Sequence, residues 1–137
     1  MNRAQWELVE TACRGLRSAT LSWTWDSRFG AALSTFDARD AAWVRALLDR
    51  HFGLRFDAGT LREAPAGVRS LAKSIGGVRE DQSICSTDPS FEVMAVGAWW
   101  PWGGGRTISV RVFPVENGLP PGERDAFTAA FRSWFVP

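Results

Sequence analysis

From Phe91 to Val115 the chain reads FEVMAVGAWWPWGGGRTISVRVFPV, and this stretch decides the fold. In its first half Phe91, Val93, Ala95 and Gly97 oppose Glu92, Met94, Val96 and Ala98. That predicts a strand over Phe91–Trp99, largely apolar on both faces. In the second half Ile108, Val110 and Val112 alternate with Thr107, Ser109 and Arg111, which predicts a strand over Thr107–Val115. The link Trp100-Pro-Trp-Gly-Gly-Gly-Arg106 holds three glycines, which take the positive φ angles a hairpin needs. Two strands joined in this way pair antiparallel, so an antiparallel pair lies at the heart of the sheet.

Downstream, Pro120-Pro121-Gly122 opens a last helix with Phe127, Ala130, Phe131 and Trp134 on one stripe. Upstream, Val78–Pro89 is polar and resists assignment apart from a short strand over Ser83–Ser86. Pro65 opens a helix over about Ala66–Ile75, with Val68, Leu71, Ala72 and Ile75 inward and Gly76-Gly77 as its stop. Leu54–Asp57 is a short strand. Asp37 caps a helix over about Ala38–Phe52, whose apolar set is Trp43, Val44, Leu47 and Leu48. Leu21–Asp26 alternates as a half-buried strand with Leu21, Trp23 and Trp25 on one face, and Ser27–Phe36 reads as a polar connection. Ala4–Ser18 is a helix in which Trp6, Val9, Cys13 and Leu16 recur at helical spacing.

The order α-β-α-β-α-(β)-β-β-α describes a single α+β domain over residues 1–137. A central antiparallel sheet carries a hairpin in its C-terminal half, and the amphipathic helices pack mainly on one face. A doubly wound fold is disfavoured because no Gly-rich turn follows an early strand.

Composition narrows the function. A chain of 137 residues, 45% hydrophobic and 23% charged, is an ordinary globular domain. Sixteen basic against fifteen acidic residues leave a net charge of +1, which argues against binding nucleic acid by bulk charge. All basic residues but Lys73 are Arg and Tyr is absent, a pattern that a GC-rich coding bias explains. No apolar run is long enough to span a membrane, and Met1–Glu10 has no apolar segment of a secretory signal. A cytoplasmic protein is expected. Cys13 and Cys85 are lone and far apart, and His51 is the only His, so neither a disulfide framework nor a zinc site is expected. No cofactor is implied.

The chain lacks HExxH, GxSxG and GxxxxGK[ST] patterns. His51 sits near a helix C-terminus, where the dipole favours it. Cys85 needs a base that only the distant His51 could supply. Pairs such as Asp81 with Asp88, or Glu92 with Glu116, read as solvated surface charges. Gly103–Arg106 lies between two strands, not before a helix, so it reads as a hairpin tip and not as a phosphate nest. No catalytic residue is assigned, and the expected function is not enzymatic.

The tryptophans are more informative. Successive strand side chains point to opposite faces, so Trp99 and Trp100 cannot both enter one core layer. At least one indole belongs near the hairpin end, where large aromatics beside Arg are typical anchors of protein interfaces. The alternatives are that Trp100 and Trp102 fold back over helix residues, or that they stack on sugars or single-stranded bases. After Trp23 and Trp25 comes Asp26-Ser27-Arg28-Phe29-Gly30, with Phe29 a candidate exposed aromatic. Beside the hairpin tip, Asp26, Arg28, Trp100, Trp102 and Arg106 form one candidate partner-binding patch.

With the strand Trp23-Thr-Trp25 after the first helix, the Trp100-Pro-Trp-Gly103 hairpin and no catalytic constellation, the chain resembles the immunity proteins that neutralise bacterial polymorphic or contact-delivered toxins. The resemblance implies a non-enzymatic inhibitor, monomeric and cytoplasmic, that binds a cognate toxin. Many inhibitors of basic nuclease toxins are strongly acidic, and this chain is nearly neutral, so its toxin need not be a nuclease. The rival expectations are a chaperone or adaptor of a secretion system that binds a secreted effector, and a small-molecule binder or enzyme.

Overall fold

A computed structural model describes residues 1–18 and 20–137. The elements are α1 (Arg3–Arg17), β1 (Thr24–Asp26), β2 (Ala31–Asp37), α2 (Ala41–His51), β3 (Leu54–Asp57), α3 (Ala66–Ser74), β4 (Ser83–Ser86), β5 (Val93–Trp102), β6 (Thr107–Glu116) and α4 (Pro121–Phe135). Six strands form one sheet in the order β1-β2-β6-β5-β4-β3, every neighbouring pair antiparallel. The α+β class and the antiparallel β5–β6 hairpin are as the sequence predicts. No helix is long and apolar enough to cross a membrane among the described residues.

The register sorts the side chains into two faces. Val93, Ala95 and Trp99 of β5 point to the same side as Ile108, Val110 and Val112 of β6 and Ala32 of β2. On this side lie α1, α2 and α4, which contribute Val9, Leu16, Val44, Leu48, Phe127 and Phe131 to one core. Leu21, Trp23 and Trp25 pack against it from the edge. Phe127, Phe131 and Trp134 meet one another with ring centroids 5.7–6.1 Å apart. Such tilted aromatic pairs add about 0.5–1.5 kcal/mol each beyond the area they bury.

On the opposite face lies α3 alone. Its Val68 and Ala72 pack with Ile84, Met94, Val96 and Phe113 in a second, smaller core. The nine residues of α3 span only part of a sheet whose central strands have ten residues each. The rest of this face, toward β1, β2 and the hairpin end, lies open: Thr24, Thr35 and Trp102 are exposed and Leu33 is half-buried.

Five sequence expectations are corrected. The stretch Ser27–Phe36 is not a connection, because only Ser27–Gly30 turns, and the chain then runs as β2 between β1 and β6. Small Ala31 and Ala32 and the buried Ser34 blunt the alternation that marks a strand. The first strand begins at Thr24, not Leu21. Asp37 caps a 3-10 turn over Ala38–Asp40 through the Arg39 N–H at 2.8 Å, and α2 proper starts at Ala41. Trp43 is 40% exposed and lies outside the core, with its indole N–H donating to Asp40. β5 continues through Trp102, so the turn is confined to Gly103–Arg106, with Gly103, Gly104 and Gly105 all at positive φ.

Candidate functional site

The alternation of β5 separates the tryptophans. Trp99 is buried on the helix-covered face, with the Arg45 guanidinium 3.9 Å from its ring centre and Phe36 at 5.7 Å. Trp100 points to the other face, half-buried beside the end of α3. Trp102, on the same side, is 54% exposed. Its indole N–H donates to the Ser109 hydroxyl at 2.9 Å, and Ser109 in turn bonds Thr35 at 3.0 Å. This chain across β5, β6 and β2 holds an exposed ring in place.

The turn after β1 closes the other end of the open face. One carboxylate oxygen of Asp26 accepts the backbone N–H groups of Arg28 and Phe29, at 3.1 and 3.4 Å. The other accepts Arg111 Nε at 3.0 Å. Burial pushes the Asp26 pKa up, but the Arg111 hydrogen bond, the two backbone bonds and the Arg111 charge outweigh it and hold the carboxyl below its ordinary value. The Arg111 guanidinium lies 4.8 Å from the centre of the Phe29 ring and that of Arg28 lies 5.4 Å from it. Phe29, 40% exposed, thus has two guanidinium groups close to its ring. Phe29, Arg111 and Trp100 line one hollow with Ala98 and Phe113 at its floor.

The five residues singled out in the sequence therefore fall into three groups. Trp100 and Trp102 share the open face. Arg28 joins it through Phe29. Asp26 lies at its edge but is spent on internal bonds, so it orients Arg111 and the turn. Arg106 is exposed at the hairpin tip, where its carbonyl accepts the Ala38 N–H. Sequence reasoning missed Arg111, Ser109 and Thr35. The alternation of β6 already put Ser109 and Arg111 together opposite the core side. What hid them was β2, which places Thr35 beside Ser109 and Leu33 beside Arg111.

Of the groups weighed for chemistry, Asp81 and Asp88 are exposed, His51 and Glu116 are half-buried and the two cysteines are buried. Cys13 and Cys85 are free and buried. Burial pushes the Cys85 thiol up to about 12, so it stays protonated at neutral pH. The His51 ring lies against Gly15, where a Cβ would overlap it, and burial followed by the Arg50 charge holds its pKa below the usual range. Glu116 pairs with Arg124 at 3.1 Å and accepts the Leu119 N–H. Compared with protein-family models, curated proteins and solved structures, the chain matches none.

Proposed function

We propose that this protein is a non-enzymatic, protein-binding domain of the immunity type, which binds a cognate bacterial toxin in the cytoplasm and neutralises it as a monomer. The binding surface is the open part of the sheet face. The observation that supports this reading is the hydrogen-bonded chain from Trp102 through Ser109 to Thr35. A large aromatic held rigid and exposed on a central strand loses little entropy on binding, which is what an interface anchor requires. Trp100 on the same face, and Phe29, Arg28 and Arg111 toward its other end, add the aromatic and guanidinium groups that interfaces favour.

The test is capture from lysate of the host. The expected result is one stoichiometric protein, toxic when expressed alone and harmless when co-expressed with this chain. Replacing Trp100 and Trp102 by Ala weakens the complex by more than ~2 kcal/mol. Unchanged affinity in that double variant removes the assignment of the surface. An obligate dimer that holds a non-toxic secreted protein in its place points to the adaptor reading.

A further inference from the structure

Beside Trp100 and Trp102 the open face deepens into a cleft of about 320 Å³, closed on its far side by Ile75 and the Gly76–Gly77 turn that follows α3. Ile75, Trp100, Pro101 and Trp102 form its apolar part, and the glycine turn, Arg79 and Gln82 supply a nearly equal polar part. The backbone donors of the turn are already spent, Gly76 on the Lys73 carbonyl and Gly77 on the Ala72 carbonyl. The charged group in the cleft is Arg79. Its backbone is pinned by the Gln82 side chain, which accepts the Arg79 N–H at 2.7 Å. Among the described residues its guanidinium pairs with no carboxylate, although Glu80 and Asp81 follow it in the chain. On the other flank the one carboxylate, Asp26, is fully engaged, which leaves Arg28 also without an ionic partner.

We propose that this cleft receives an acidic segment of the partner polypeptide, with an aliphatic side chain seated between Ile75 and Trp100 and a carboxylate on the Arg79 guanidinium. For the owner of that segment the assignment rests on the toxin-binding reading above. The cleft is large enough for one or two side chains, near the lower end of the range of ligand pockets. Its chemistry is a slot, apolar on the side of Ile75 and the tryptophans, lined also by a cation that lacks a counter-charge. A planar guanidinium is the group best suited to take a carboxylate in two parallel hydrogen bonds. A single-stranded nucleic acid fits less well. Base stacking needs free faces on successive aromatics, whereas Phe29 has two guanidinium groups close to its ring and Trp100 is half-buried.

The experiment is an NMR titration of the isotopically labelled full chain with three probes: the capped pentapeptide LEDLE, its basic counterpart LKKLK, and a short oligothymidylate. With LEDLE the indole N–H signals of Trp100 and Trp102 and the amide signals of Gly76 and Gly77 are expected to shift and saturate. In Arg79→Gln, an exposed turn position, the affinity for LEDLE falls about tenfold. Three results overturn the assignment: no shift with LEDLE at millimolar concentration, equal shifts with LKKLK or the oligothymidylate, or wild-type affinity in Arg79→Gln. A toxin captured equally by wild type and Arg79→Gln removes the acidic segment and leaves the toxin-binding reading standing. If LEDLE seats as described and no toxin is captured, the cleft stands as an acidic-peptide site and the toxin reading falls.

Discussion

The two faces of the sheet are built from the same strands and covered to different extents. One face is closed by three helices, and its side chains are nearly all apolar and inaccessible. The other is closed by one short helix, and beyond that helix the same strands present Trp102, Thr35, Arg111 and the Phe29 turn. On the closed face the half-buried Arg45 stacks on the buried Trp99. On the open face Trp102 stays accessible, held by a hydroxyl chain instead of by packing. Burial fixes a side chain through its contacts, whereas an exposed anchor has to be fixed by directed bonds. Substitutions on the two faces should therefore differ in kind.

The largest effect is expected from Phe131→Ala at the centre of the helix-covered core, where the ring is fully buried. Urea unfolding should show a loss of about 3–5 kcal/mol from lost burial and the cavity left behind. A loss under ~1 kcal/mol would mean that the helices do not close this face as described. Gly97→Ala comes next. A Cβ there would meet Cys85 Sγ at 2.7 Å and the Phe52 ring at 3.3 Å, so β4 or α2 has to move. Overpacking of this kind costs about 1–3 kcal/mol, and Cys85→Ala in the same background should recover part of it.

Asp26→Asn sharpens the comparison from the open side, with a loss of about 1 kcal/mol at neutral pH, kept modest because water still touches the pair with Arg111. The pH dependence carries the sign. The folded pKa of Asp26 lies below its unfolded value of about 3.9, so its stabilisation is full above that value and fades as pH falls through the folded pKa. Asp57 and Asp88 are also held low, by bonds from Thr60 and Ser90, so wild type loses stability in acid from several sites. The difference between wild type and Asp26→Asn should shrink as pH falls below about 3.9 and on through the folded pKa. A constant difference across that range would assign the effect to the turn backbone and not to charge. The smallest effect on stability is expected from Trp102→Ala, under ~1 kcal/mol, because the ring is exposed and loses one hydrogen bond. A larger loss would make Trp102 a structural residue and weaken the distinction between the faces.

The fold was legible wherever periodicity was strong. Phe127, Ala130, Phe131 and Trp134 at helical spacing, and Ile108, Val110 and Val112 at strand spacing, name α4 and β6 without ambiguity. The Leu54–Asp57 and Ser83–Ser86 strands matched their bounds as well. β2 was not legible, because Gly30 and the buried Ser34 mimic a connection and its partners lie far away in sequence. That strand decides how much of the candidate site can be seen. Trp100 and Trp102 stood out by composition, but the residues that hold Trp102 in place, Ser109 and Thr35, become neighbours only through the β2–β6 pairing. Asp26 looked like a surface contact because nothing in its local sequence names Arg111, 85 positions away, as its partner.

The central claim is that the open part of the sheet face is the working surface. Its most direct measurement is the affinity of the captured host partner for wild type and for Trp102→Ala, with the folded state of both checked by unfolding. The account predicts one stoichiometric partner whose binding to Trp102→Ala is weaker by at least ~2 kcal/mol while stability changes by less than ~1 kcal/mol. A partner that binds both proteins equally, or that binds through the helix-covered side, would contradict it.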